Sequence, residues 1–214
     1  MISIKKLDNK IVAWVKTSVF LLALIPLANL GISAYLDSLG ANPIEKITRT
    51  TGYWTLTFLL ISLTITPLRR FSGWNWLMRL RRMLGLFVFF YASLHFLTYL
   101  VLDQFFDWAS IVNDIVKRPY ITVGFPAFIL LVPLAITSNN RMIKLLGGKR
   151  WLLLHRLVYL CAVGGVVHYW WLVKKDLTNP LTFALLLSLL MGIRLINWLR
   201  GLNAFLIPRK GWLP

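Results

Sequence analysis

WLLLHRLVYLCAVGGVVHYWWLV, residues 151–173, is apolar for long enough to cross a lipid bilayer, yet it carries two histidines, His155 and His168. A hydrocarbon core about 30 Å thick needs about 20 helical residues, so the stretch reads as a transmembrane helix. An ionisable group at such depth is expensive, which makes function the default explanation for it. The remaining histidine, His95, also falls in an apolar run. One histidine alone is as readily an interhelical hydrogen bond; three together, with none elsewhere, favour a shared role.

Working outward, further apolar segments cover residues 11–36, 53–68, 83–102, 119–138 and 180–199. With 58% hydrophobic and 14% charged residues in a 214-residue chain, too little interior exists to hide so much apolar surface from lipid. The expectation is an all-α polytopic membrane protein, a six-transmembrane-helix bundle formed as a single domain over residues 1–214. Residues 11–36 exceed the length of a signal-peptide core and lack a small-x-small exit, so they are read as a first span. Lys16 and Arg194, inside the first and sixth segments, must snorkel or face protein.

The net charge of +17 admits two explanations. Nucleic-acid binding needs cations gathered on one solvated face, but here they sit in short clusters between apolar runs. Lys5, Lys6, Lys10, Arg69, Arg70, Arg79, Arg81, Arg82, Arg141, Lys144, Lys149, Arg150, Arg200, Arg209 and Lys210 fall on one side of a six-span topology. On the other, Lys46, Arg49, Lys117, Arg118, Lys174 and Lys175 are balanced by Asp37, Glu45, Asp103, Asp107, Asp114 and Asp176. The positive-inside rule then puts both termini in the cytoplasm of an inner membrane. The partner that composition implies is the bilayer, not nucleic acid. Trp14, Trp54, Trp108, Trp151, Trp170, Trp171 and Trp198 lie near run ends, where interfacial anchoring explains them. Residues 71–82, with Trp74 and Trp76 among arginines, predict a short helix lying in the cytoplasmic interface. Cys161 is the only cysteine, which removes disulfide, zinc-finger and c-type haem readings.

Depth decides which histidines can cooperate. At 1.5 Å per residue, His155 and His168 are about 20 Å apart along one helix, whereas two nitrogens on one haem iron are about 4 Å apart. Counting from the expected cytoplasmic ends, His95 lies roughly 18 Å up, His155 about 6 Å and His168 about 26 Å. Tilt absorbs a mismatch of roughly 8 Å more easily than one of about 12 Å. The expected pair is therefore His95 with His168, clamping a haem in the outer half of the membrane. Gly164 and Gly165 either let its ring approach the backbone or serve helix packing. His155 is left for a second haem with another partner, or for an inner flavin or quinone site. Arg81, Arg82, Arg150 and Arg156 cluster at that inner boundary, suited to haem propionates, a flavin phosphate or lipid headgroups.

GANPIEKITRTTGYWTLTFLLISLTITPLRR (residues 40–70), LRRMLGLFVFFYASLHFLTYL (80–100), RPYITVGFPAF (118–128) and LLLHRLVYLCAVGGVVHYWW (152–171) resemble the MsrQ or YedZ family. This is the haem-binding membrane subunit of the bacterial periplasmic protein-methionine-sulfoxide reductase system. The wider ferric reductase-like group, to which that family belongs, carries two fifth-helix histidines spaced like His155 and His168 and a third-helix counterpart of His95. The second third-helix histidine of its oxidase members has no counterpart here.

The resemblance implies haem b and FMN as cofactors, with electrons arriving from the quinone pool or a cytosolic flavin reductase. They would leave to a periplasmic molybdopterin-containing subunit that reduces methionine sulfoxide in oxidised proteins. On that reading the chain is an electron-transfer subunit without catalytic residues of its own. Two alternatives stay open: a stand-alone haem b quinol or ferric reductase, and a proton- or metal-coupled transporter. Spans without a single acidic residue argue against the second.

Overall fold

The computed structural model describes residues 7–206, with side chains through residue 200. Lys5, Lys6, Arg209 and Lys210, which contributed to the expected charge bias, lie outside the described residues. Six helical segments are long and apolar enough to span a membrane.

Helix α1 (Asn9–Tyr35) follows the expected first span. Helix α2 (Pro43–Ser72) is much longer than the apolar segment 53–68. Its start is set by local chemistry that hydropathy does not register. Pro43 occupies the first turn, and the Asn42 side chain accepts from the Glu45 backbone N–H while donating to the Glu45 carboxylate. Further in, Thr48, Thr51, Thr55 and Thr57 return their hydroxyls to carbonyls one turn back, so polar residues continue the helix.

The interfacial helix expected over residues 71–82 does not form as a unit. Helix α2 runs to Ser72, Gly73 caps it in the left-handed conformation at φ 74°, and a tight turn at Asn75–Leu77 feeds directly into α3 (Met78–Leu97). A wide turn at Thr98–Asp103 extends that span to 29 residues.

An amphipathic helix, α4 (Trp108–Lys117), comes next, capped by the Asp107 carboxylate on the Ala109 and Ser110 N–H groups. Helix α5 (Pro119–Ile136) leads through the short α6 (Asn140–Leu146) to α7 (Gly148–Leu154). A tight turn at His155–Leu157 joins α7 to α8 (Val158–Leu172), making one span of 25 residues, and α9 (Thr178–Leu206) is the last.

Helices α2 and α3 pack most extensively, followed by α5 with α8. Leu63, Val88 and Tyr91 are each 1% exposed where α2 and α3 meet. The Tyr91 hydroxyl donates to the Ala23 carbonyl at 2.7 Å and ties α1 to this core. Arg194 is satisfied inside the protein: its guanidinium donates to the Leu63 and Leu190 carbonyls and lies 5.4 Å from the Tyr159 ring centre. Leu21, Leu22, Leu160, Leu185 and Leu189 are exposed, as lipid-facing residues of a multi-pass membrane protein should be.

The connections alternate between two ends. Where α2 passes into α3 and α5 leads to α8, Arg69, Arg70, Arg79, Arg141, Lys144, Lys149 and Arg150 gather at or beside the helix ends and define a basic end. The α1–α2, α3–α5 and α8–α9 connections define a near-neutral end.

Candidate functional site

His95 sits in the last turn of α3 and His168 in the last turns of α8, both toward the near-neutral end. Their ring centres are 6.0 Å apart and their planes cross at 84°. Nδ1 of His95 lies 2.9 Å from the Thr48 carbonyl of α2, and Nδ1 of His168 lies 2.7 Å from the Tyr120 carbonyl of α5. A carbonyl can only accept, so in each ring Nδ1 carries the proton and Nε2 keeps its lone pair. That is the tautomer a metal ligand needs, with the orienting hydrogen bond such ligands usually have.

A glycine makes each contact accessible. In a helix the side chain at position i+4 stands over the carbonyl of residue i; four residues after Thr48 is Gly52, and four after Tyr120 is Gly124. A Cβ on Gly52 would sit 3.0 Å from the His95 ring, and one on Gly124 would collide with His168, lying 2.9 Å from its Cε1. Each imidazole therefore lies on a helix surface left open by a missing side chain. The glycines singled out from the sequence divide between the two expected roles. Gly164 packs on Ala127 of α5, whereas Gly165 meets Leu56 of α2 and also lines the hollow between the two histidines.

The two rings border a cavity of about 340 Å³. Leu56, Ala92, Phe96, Phe128, Leu131 and Cys161 make its wall apolar, with Phe96 and Phe128 stacked at 4.8 Å. Arg49, Tyr99, Arg118 and Tyr120 line it toward the near-neutral end. Helix α4 closes that end with Ile111 and Ile115 and is fixed by Asp114, which accepts from Tyr99, Gln104 and Arg118. Hydrogen bonding to Tyr120, aided by Asp114, pushes the Arg118 guanidinium above its ordinary pKa, so it presents a permanent cation.

Among the described residues no three His, Cys, Asp or Glu side chains converge on one point. The protein thus offers two imidazole nitrogens and an apolar slot. That donor set fits a metal whose other ligands come from a flat macrocycle, as in haem. Two imidazoles binding one iron at about 2 Å each would have ring centres roughly 6 Å apart, which the observed spacing matches.

His155 is not brought to this pair. Its Nε2 is 3.0 Å from Thr137 Oγ1, whose hydroxyl donates to the Pro133 carbonyl at 2.6 Å. The oxygen must therefore accept from His155, whose proton is on Nε2. The ring stacks on Trp151 at 3.9 Å, and Trp151 donates to the Thr137 carbonyl. Arg81, Arg82 and Arg156 lie with His155 in the basic half; Arg82 donates to Asn140, Arg156 is exposed, and none lines the cavity. The cations that do line it, Arg49 and Arg118, were not singled out from the sequence, and neither were Gly52 and Gly124.

Six spans with a histidine pair between the third and fifth define a ferric reductase-like membrane protein. Consistent with this, residues 51–166 match the family described as ferric reductase like transmembrane component, a stretch holding His95 and His155. Closer relatives are proteins named protein-methionine-sulfoxide reductase heme-binding subunit MsrQ. That of Herminiimonas arsenicoxydans is 58% identical over 182 residues, 84% of each chain. That of Azospira oryzae is 54% identical over 87% of this chain and 80% of its own. That of Rhodospirillum rubrum is 55% identical over 86% of this chain and 89% of its own. This chain belongs to the MsrQ family.

Proposed function

We propose that this protein is the electron-carrying membrane subunit of a protein-methionine-sulfoxide reductase system and binds haem b between His95 and His168. The observation that carries this reading is the pair of Nδ1-to-carbonyl locks over Gly52 and Gly124, which leaves two Nε2 lone pairs at a ring spacing suited to one iron. Bound haem would supply a one-electron iron couple. The chain's residues would hold and shield it: His95 and His168 would bind its iron, Phe96 and Phe128 would exclude water, and Arg49 and Arg118, each already paired with a carboxylate, would set cations near its propionates.

The charge difference between the two ends supports an inner-membrane orientation with both termini cytoplasmic and the cavity near the outer surface. In that orientation, electrons enter from the quinone pool or a cytosolic flavin reductase. They leave across the near-neutral end to a periplasmic molybdopterin-containing subunit. FMN belongs to the same reading by family resemblance, with Arg81, Arg82 and Arg156 beside His155 as the basic setting for its phosphate.

The test is the reduced-minus-oxidised visible spectrum of detergent-purified protein, with haem counted per chain. Sharp b-type bands are expected in the wild type and no bands in His95→Ala or His168→Ala. Full haem content with an unshifted spectrum in either variant would overturn the assignment.

A further inference from the structure

On the face of α2 turned away from the histidines, a second hollow of about 410 Å³ opens between α1 and α2. Leu22 and Ile25 give it an apolar floor toward the middle of the membrane. Nearer the near-neutral end, four polar side chains line it: Asn29 and Ser33 one turn apart on α1, and Lys46 and Thr50 one turn apart on α2.

None of the four side chains hydrogen-bonds or ion-pairs with another described residue. Thr50 differs in this from Thr48, Thr51, Thr55 and Thr57 of the same helix, whose hydroxyls return to the backbone. The acid beside Lys46 is already engaged, since Glu45 is held by Arg49 and Asn42. An ammonium, an amide and two hydroxyls thus line one groove toward the near-neutral ends of α1 and α2, beside a floor of Leu22 and Ile25 nearer the middle of the span.

We propose that this groove binds one anionic phospholipid from the leaflet at the near-neutral end. Lys46 takes the phosphate charge, while Asn29, Ser33 and Thr50 satisfy phosphate and glycerol-ester oxygens. The first acyl chain runs down over Ile25 and Leu22. A quinone head, which is neutral, gives the ammonium nothing to neutralise, so the charge favours phosphate. The lipid then fills the gap between α2 and α1, a helix anchored by Val12, Ala23, Pro26 and the Tyr91 hydrogen bond. The site is independent of the haem reading, because its α2 residues lie on the face opposite Gly52 and Thr48.

The experiment exchanges purified protein through mild detergent, counts retained phospholipid by native mass spectrometry, and titrates delipidated protein with phosphatidylglycerol or phosphatidylcholine in nanodiscs. Expected are one retained anionic lipid per chain and tighter binding of phosphatidylglycerol. Lys46→Ala should weaken that binding about fivefold, Lys46→Arg should restore it, and Asn29→Leu with Thr50→Val should abolish retention. Every variant should still elute as a single species. No retained lipid in the wild type, equal binding of both lipids, an unaffected Lys46→Ala variant, or one-for-one displacement of the lipid by a quinone analogue would each overturn the proposal.

Discussion

The two halves of this bundle handle histidine in opposite ways. In the near-neutral half, His95 and His168 spend Nδ1 on backbone carbonyls and keep Nε2 free. In the basic half, His155 spends Nε2 on Thr137 and lies flat against Trp151. All three imidazoles lie within spans long enough to cross a membrane and all are hydrogen-bonded, so hydrogen bonding does not separate the proposed ligand pair from His155. What differs is which nitrogen the hydrogen bond uses and whether a second imidazole lies nearby, as it does for His95 and His168 with ring centres 6.0 Å apart.

The sharpest way to break this contrast is to remove each histidine in turn. His95→Ala and His168→Ala should each lower the haem-to-protein ratio by at least about tenfold, while His155→Ala should keep most of the b-type absorbance. Equal losses from all three would show that the halves are not chemically distinct.

A slightly smaller effect is expected from the glycines. Gly124→Ala drives a methyl into the His168 ring and should reduce haem affinity by up to about 10-fold. Gly52→Ala, at 3.0 Å from the His95 ring, should cost less. Gly85→Ala meets nothing within 4 Å and should leave haem untouched while stabilising α3 by up to about 1 kcal/mol. Haem titration and thermal melts of the three variants give the ranking.

Charge at the cavity mouth comes next. Arg118→Gln should retain haem but lower its midpoint potential, because one cation that favours the electron-richer state is lost. Arg82→Gln, in the basic half, should leave the potential unchanged; potentiometric titration followed in the visible bands distinguishes them. The smallest effect belongs to Thr137→Val, which strips His155 of its acceptor. It should cost about 1 kcal/mol of stability with no spectral change.

Much of this architecture is legible in the chain. Long apolar runs gave the six spans, and height along the helices selected His95 with His168 over any pair containing His155. The expected mismatch in height came from the boundaries: the third span begins at Asn75 and the fifth at Gly148, so His95 and His168 lie the same number of residues, about 30 Å of helix, from the basic end. Helix α2 was underestimated because Asn42, Glu45 and a series of self-bonded threonines make helix from residues that hydropathy counts as loop.

Helix α4 carries a readable signature in Asp107 as cap, Pro119 as stop, and Trp108, Ile111, Val112, Ile115 and Val116 between them. The expected interfacial helix at residues 71–82 failed on Gly73, whose left-handed cap divides the segment. Gly52 and Gly124 were beyond reach for a different reason. Their meaning depends on which helix lies across them, and a single sequence does not state that.

The two locks have a consequence for assembly. His95 on α3 is held by α2 and His168 on α8 by α5, so one iron porphyrin between them would join the two best-packed helix pairs like a rivet through both plates. A ligand that binds the assembled state alone shifts folding toward it by mass action. If haem binds as proposed, heat resistance should rise with porphyrin supply, and maturation of the chain in the membrane would be coupled to delivery of that group.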